Sequence, residues 1–388
     1  MSGRRAAVLL LAGVLGAAAA PAPAQPPPAA PQAPPAVRLP EISSARGLDP
    51  RVTDAVRSLV SAEMTRLGVP GLSIALGRDD ELLYETALGW ADVENEVKAK
   101  PDTVFRLASV SKPMTAVAVL RLAAQGRLDL DAPAWRYCPA YPAKPWPVTA
   151  RQLLCHQGGV RGYRPGERPQ TRPFGAVAEA LPLFADDPLA HEPGTATTYS
   201  TYGYVLLGCA AEGAAGRPFA EVLRDLVLEP AGMASTQPES RRRLLAHRAS
   251  GYVRGPAGEL ANSDLADVSY KVPGGGLVGT APDVARFGLA LLSGRLLARP
   301  ELERMLAPQR LRGGGPTGFG LGLAVNRYGG RREASHVGGQ EQVSTILYLR
   351  PDSGTVVAIL TNLERIQDPL LELARRVADL AEAERVFR

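Results

Sequence analysis

Metal-binding and thiol residues are scarce in this chain. Three cysteines and four histidines (His156, His191, His247 and His336) are scattered over 388 residues, and no Cys/His/Asp/Glu cluster has metal-ligand spacing. No metal or cofactor is therefore expected. Lysine is almost as rare, five among 44 basic residues. Positive charge is not gathered into a stripe but interspersed with 39 carboxylates, which excludes nucleic acid as an expected partner. The one dense basic run, Arg241-Arg242-Arg243, reads as a solvated helix face with no role. An odd cysteine count permits at most one internal disulfide, with Cys138–Cys155 the expected pair. Cys209, inside the apolar run YVLLGCAAEG, reads as a small buried hydrophobe.

The first 24 residues have the three parts of a secretory signal: Arg4 and Arg5, an apolar run from Ala6 to Ala20, and small residues ending Ala22-Pro23-Ala24. Cleavage after Ala24 would leave a secreted or periplasmic protein. The formal net charge of +5 includes both arginines, so the remainder carries +3. No later apolar run reaches the roughly 20 residues that a membrane span needs, so no membrane partner is expected. Residues 25–44 are rich in proline and alanine. Proline removes backbone donors and holds the chain near polyproline II, so this stretch reads as a semi-rigid linker.

From residue 45 to 388 the pattern is that of one domain. Asp49 and Pro50 open a helix with Val52, Val56, Leu59, Val60, Met64 and Leu67 at helical spacing. GLSIALG and LLYETALGWA, around the polar Arg78-Asp79-Asp80-Glu81, then read as a β-hairpin. More strands follow near the other end, in SHVGG, EQVSTILYLR and GTVVAILT, with Pro351-Asp352-Ser353-Gly354 as a turn. Leu370, Leu373, Val377 and Leu380 share one face of a closing helix. Residues of about 110–310 are mainly helical. Strands at both ends must pair across this insertion, which gives an α+β fold: an antiparallel sheet built from both chain ends, flanking helices, a mainly helical lobe, and a cleft between the two.

Three short patterns carry chemistry. In Phe105-Arg106-Leu107-Ala108-Ser109-Val110-Ser111-Lys112, Ser109 and Lys112 stand three apart where a helix begins, hence on one face. A serine becomes nucleophilic when a base takes its proton, and a desolvated lysine among cations has a pKa low enough to share that task. Lys112 is the only lysine three positions after a serine; Ser111 is a rival nucleophile, but off that face. The second pattern is the polar turn that runs from Glu192 into an apolar helix, where Tyr199, Tyr202 and Tyr204 compete as a phenol that could ionise among cations and act as a base. The third is Ser335-His336-Val337-Gly338-Gly339 on a strand, where glycines let backbone approach a substrate and offer it an N–H. His156, in His156-Gln157-Gly158-Gly159, reads as structural.

In order and in context, these patterns resemble the serine β-lactamase and DD-peptidase superfamily, closest to class C β-lactamase-like hydrolases, a branch with esterases and D-amino-acid peptidases. The similar phrases are FRLASVSKPMTA, VTARQLLCHQGGV, PGTATTYSTYGYVLLG, GGGLVGTAPDVARFGLALL and SHVGG, from about Leu48 to about Asn362. The resemblance implies Ser109 as acylated nucleophile, Lys112 as its proton partner and Tyr199 as general base. It places His336 where lysine is common, and the N–H groups of Ser109 and Gly339 in an oxyanion hole, with Thr201 and Gly338 lining the substrate site.

Two departures bear on the substrate. Thr201 stands where the family usually has asparagine, so a hydroxyl replaces an amide that could both accept and donate. His336 in place of lysine is not a fixed charge at neutral pH. Both count against an efficient β-lactamase. The expected function is hydrolysis of small esters, amides or D-amino-acid peptides through an acyl-enzyme. A true β-lactamase or DD-carboxypeptidase, and a non-catalytic penicillin-binding or sensor module, are the alternatives.

Overall fold

A computed structural model describes residues 43–45 and 47–383. The expected signal and most of the linker lie outside the described residues, but linker residues Ser43 and Ser44 begin a short strand, β1 (Ser43–Ala45). The first helix, α1 (Pro50–Leu67), starts as its sequence requires: the Asp49 side chain accepts from the Arg51 N–H, and Pro50 needs no donor partner there. Gly68 closes it at φ +60°, the left-handed conformation that glycine adopts without steric cost.

The hairpin forms β2 (Gly71–Arg78) and β3 (Glu81–Asp92), and the C-terminal region supplies β4 (Ala324–Tyr328), β5 (Arg331–Gln340), β6 (Val343–Arg350) and β7 (Thr355–Thr361). All pair antiparallel in the order β1-β3-β2-β7-β6-β5-β4, and a two-residue strand, Val97–Lys98, adds to the end of β3. The join between the two ends of the chain is β2 against β7, with Ile74 opposite Ile359.

Period-two alternation sorts the side chains. Leu72, Ile74 and Leu76 of β2, Ile346 and Tyr348 of β6 and Val357 and Ile359 of β7 pack under α1 and the closing helix α6 (Gln367–Ala383). Ala75, Leu347, Leu349, Val356, Ala358 and Leu360 face the other way, into a larger core shared with the helical lobe. Each large aliphatic side chain buried this way contributes about 1.5–3 kcal/mol. His336 pairs with Leu347 and Gly338 with Thr345, so both belong to the lobe face of the sheet.

The lobe is built on α2 (Ser111–Ala124), α3 (Ala150–Leu154), α4 (Thr201–Ala215) and α5 (Ala281–Leu292). Two expectations need correction. Cys138 is disulfide-bonded to Cys209, not to Cys155. Cys155 is free and buried, its thiol turned back to donate to the Arg151 carbonyl, whereas α4 carries Cys209 alongside Cys138 with the Cα atoms 5.4 Å apart. Arg241, Arg242 and Arg243 are exposed as expected, but on a bend and not on a helix. Among the described residues no helix is long and apolar enough to cross a membrane.

Candidate active site

The site begins with a turn under strain. After the short strand Phe105–Arg106 the chain makes one 3₁₀ turn, Ala108–Val110, and passes into α2. Ala108 has φ +49°, a conformation that costs a residue with a Cβ about 1–3 kcal/mol and persists only where its surroundings enforce it. They do so here. Ser111 Oγ donates to the Ala108 carbonyl (2.7 Å), Leu107 N–H to Leu277 O (2.8 Å), and Thr345 Oγ1, on β6, to Leu107 O (2.9 Å). Gly338 completes the dock, because a Cβ there would lie 2.1 Å from Thr345 Oγ1 and 2.7 Å from Leu107 O. Only glycine lets the turn rest against β5. Ser111, fully buried and committed to Ala108, is removed as a rival nucleophile, while Ser109 is half-buried at the turn's outer side.

Lys112, fully buried, places Nζ 3.0 Å from Ser109 Oγ, 3.2 Å from Thr201 Oγ1 and 2.6 Å from the Gly274 carbonyl. A carbonyl can only accept, so Nζ donates to Gly274, and the remaining two partners are hydroxyls that either donate or accept. That arrangement suits a neutral amine receiving a proton from Ser109. Burial, and then the nearby charges of Lys271 and Arg168, hold the Lys112 pKa well below the usual lysine value. Gly274 belongs to a one-turn helix whose Pro273 carbonyl accepts from Thr115 Oγ1 of α2 at 2.6 Å, which fixes the distance between the two elements.

Of the three competing tyrosines, two are occupied elsewhere. Tyr202 stacks on Phe184 and donates to Glu167, and Tyr204 donates to the Leu154 carbonyl in the lobe core. Tyr199 alone faces the reacting atoms: its ring centroid is 4.8 Å from Lys112 Nζ and its hydroxyl hydrogen-bonds with Ser109. Tyr199 is 44% exposed yet enclosed by protein on most sides, as befits a side chain in a concave site. Desolvation raises its phenol pKa above the ordinary value, and the Ser109 hydrogen bond offsets this only in part. The expectation of a phenol ionised by surrounding cations is thereby corrected, since burial outweighs them.

His156 holds that tyrosine in place. At φ +61° it turns its ring onto Tyr199 (centroids 4.4 Å apart) and against Phe319, while Nδ1 accepts from the Ser200 N–H. Burial keeps it neutral. Its structural reading stands, with a positioning task that sequence did not disclose.

On β5, His336 is buried, with its ring centroid 6.2 Å from that of Tyr199. Its Nδ1 must donate to the Val337 carbonyl at 2.8 Å, which leaves Nε2 as the acceptor of a neutral ring. Burial, with Lys112 nearby, lowers its pKa to about 3, so position 336 carries no charge at neutral pH. Gly339 follows Gly338 on the strand that borders the nucleophile turn, and Thr201 opens α4 beside Lys112. The structure thus gathers Ser109, Lys112, Tyr199, Thr201, His336 and Gly338 around one cleft. Sequence reasoning missed Gly274 as acceptor for the lysine and Thr345 as clamp of the turn; the only signal was the glycine run 274–276.

The geometry agrees with comparison to known proteins. A profile of the Beta-lactamase family matches residues 56–382. The mouse (Mus musculus) serine beta-lactamase-like protein LACTB, mitochondrial, is 26% identical over 437 residues, covering 83% of this chain and 79% of that protein. Esterase EstB of Burkholderia gladioli is 37% identical over 193 residues, covering 44% of this chain and 48% of the esterase. Among solved structures, D-amino acid amidase from Ochrobactrum anthropi SV3 in complex with L-phenylalanine amide superposes with a TM-score of 0.75 at 25% identity, covering 86% of this chain and 99% of the amidase. With a strained serine turn, a buried lysine and a glycine-bearing strand brought together on this fold, the chain belongs to the β-lactamase family.

Proposed function

We propose that this protein is a serine hydrolase that acylates Ser109 with small esters, amides or D-amino-acid peptides and releases the acyl group to water. The carrying observation is the 3.0 Å contact between Ser109 Oγ and a fully buried Lys112 whose pKa is depressed. Ser109 Oγ attacks the substrate carbonyl carbon as its proton passes to Lys112 Nζ. The N–H groups of Ser109 and Gly339 receive the oxyanion, each such donor being worth about a hundredfold or more in rate. Collapse of the tetrahedral adduct breaks the bond to the leaving group, which takes up a proton through the Tyr199 hydroxyl from Lys112. Water then attacks the acyl-enzyme by the same path in reverse. Tyr199 is a proton relay in this scheme and Lys112 the base, because the tyrosine's pKa is raised and the lysine's lowered.

The esterase and D-amino acid amidase similarities support the substrate range, and the neutral His336 weighs against efficient β-lactam turnover. Export is part of the proposal. The signal-like N-terminus supports it, as does the Cys138–Cys209 disulfide, which suits an oxidising compartment.

Hydrolysis of a short-acyl nitrophenyl ester by the protein from Gln25 onward, beside Ser109→Ala, tests the reading. Turnover lost in the variant supports it. Equal activity in both would place the chemistry elsewhere. Silence in both, with intact mass showing a stable acyl group on Ser109 of the unsubstituted protein, would favour a binding or sensor module.

A further inference from the structure

Beside the catalytic lysine lies a buried cation that the reaction does not use. Lys271 is 3% exposed, yet among the described residues its ammonium makes no hydrogen bond and no ion pair. It rests only on aromatic faces, 5.8 Å from the Tyr163 ring centroid and 5.3 Å from that of Tyr270. A buried ammonium without an acceptor costs several kcal/mol, so its presence calls for an account.

Its neighbours do not neutralise it. Arg106 is committed to Glu239 by two hydrogen bonds (2.7 and 3.0 Å), and Arg168, seated over Tyr163 at 4.9 Å, pairs with Glu341 at 2.6 Å. Three cations thus face two carboxylates, and Lys271 is the one left over. Two more donors are unmatched: Arg168 Nε, and Nε2 of Gln340, a residue only 7% exposed. Gln340 follows Gly339 directly, and its amide oxygen is 3.5 Å from where a Cβ of Gly275 would stand, next to the Ala108 carbonyl. Lys271 lies three residues before Gly274, the acceptor of Lys112, and both Lys271 and Arg168 are close enough to depress the Lys112 pKa. The unmatched donors therefore border the reacting serine.

Resting on the serine hydrolase reading, we propose that Lys271, Arg168 and Gln340 form an anion subsite for a carboxylate carried by the substrate near its scissile carbonyl. The charge missing at His336 is supplied from the opposite wall of the cleft. One uncompensated cation suits a singly charged group, and a carboxylate can meet an ammonium and a guanidinium or amide N–H at once.

The test separates this subsite from catalysis by using Ser109→Ala protein, which binds without turnover. An N-acetylated dipeptide with a free C-terminal carboxylate, and the same dipeptide as its amide, are titrated by calorimetry, with inorganic phosphate as competitor. The acid is expected to bind at least about tenfold more tightly than the amide, the scale of one charge-assisted contact. That preference should vanish in Ser109→Ala/Lys271→Met and in Ser109→Ala/Lys271→Gln. Thermal melting adds a readout that a structural lysine would not give: Lys271→Met removes an unmatched buried charge and should raise Tm, whereas a structural role predicts a fall. The proposal is overturned if the Ser109→Ala protein does not distinguish acid from amide, if the preference survives both substitutions, or if phosphate binds as well as the carboxylate. Loss of ester turnover in Ser109→Ala reports separately on the hydrolase reading.

Discussion

The Nζ of Lys112 and the carbonyl oxygen of Gly274 are 2.6 Å apart, a contact that points one N–H away from Ser109 and leaves the rest of the amine for the serine and Thr201. The lysine is oriented by backbone, so its position does not depend on charge.

Lys112→Arg should be nearly inactive although the charge is kept. Guanidinium does not give up its proton near neutral pH and is too large for a fully buried site set by three close oxygens. A fall of about 10²–10⁴ in kcat/KM is expected for loss of proton transfer. Ester kinetics beside a melting curve check it, and activity near wild type would show that the lysine carries no proton.

Gly338→Ala should displace the nucleophile turn without dismantling the sheet. Its methyl group would meet Thr345 Oγ1 and Leu107 O at distances no side chain tolerates, for a stability loss of about 1–3 kcal/mol. A shift of the turn by a fraction of an ångström should cost tenfold or more in kcat/KM, up to about 10². Adding Thr345→Ala should restore only part, because the Leu107 carbonyl remains. Full recovery in the double variant would mean that the clash with Leu107 is immaterial.

Reduction of Cys138–Cys209 should lower stability in denaturant, and Cys155→Ser should leave that sensitivity intact. The bridge spans 71 residues, for which loop-closure entropy gives about 4 kcal/mol. Peptide mapping of the oxidised protein identifies the pair directly, and a Cys138–Cys155 peptide would refute the assignment.

Acid should destabilise the protein through its buried histidines. The His336 ring titrates at about 3 when folded and near 6.5 when unfolded, so between these values the unfolded chain binds more protons. Stability is therefore lost as pH falls through 6.5, by at most about 1.4 kcal/mol per pH unit for this group. His156, lowered in the same direction, adds to the slope. Urea unfolding between about pH 7 and pH 4 should be less pH-dependent for His336→Gln than for wild type; parallel curves would show that the ring is not buried neutral.

What the sequence disclosed follows from the range of the signals involved. Ser109 and Lys112 are legible because a three-residue spacing on a helix brings them together whatever the rest of the chain does. The sheet order was legible in outline, since strands of alternating burial at both ends had to share one layer. The cysteine pairing failed because proximity in sequence favoured Cys155, while the path of α4 decides for Cys209. The tyrosine's acidity was misjudged because cations count from a distance but desolvation depends on every neighbouring atom. Gly274 and Thr345 meet the serine turn from segments 162 residues beyond Lys112 and 238 beyond Leu107, and no local pattern announces such meetings.

The pairing of β2 with β7 also sets the timing of activity. Residues 71–78 find their central partner only when residues 355–361 are available, so the sheet cannot close on a growing chain until almost all of it has been made. Long-range pairing of this kind is slow, because loop closure precedes any compensating contact. The strand that carries His336, Gly338 and Gly339 docks in the same late step. A nascent or truncated chain thus lacks one wall of its cleft, and hydrolytic competence arrives all at once with the C-terminal strands.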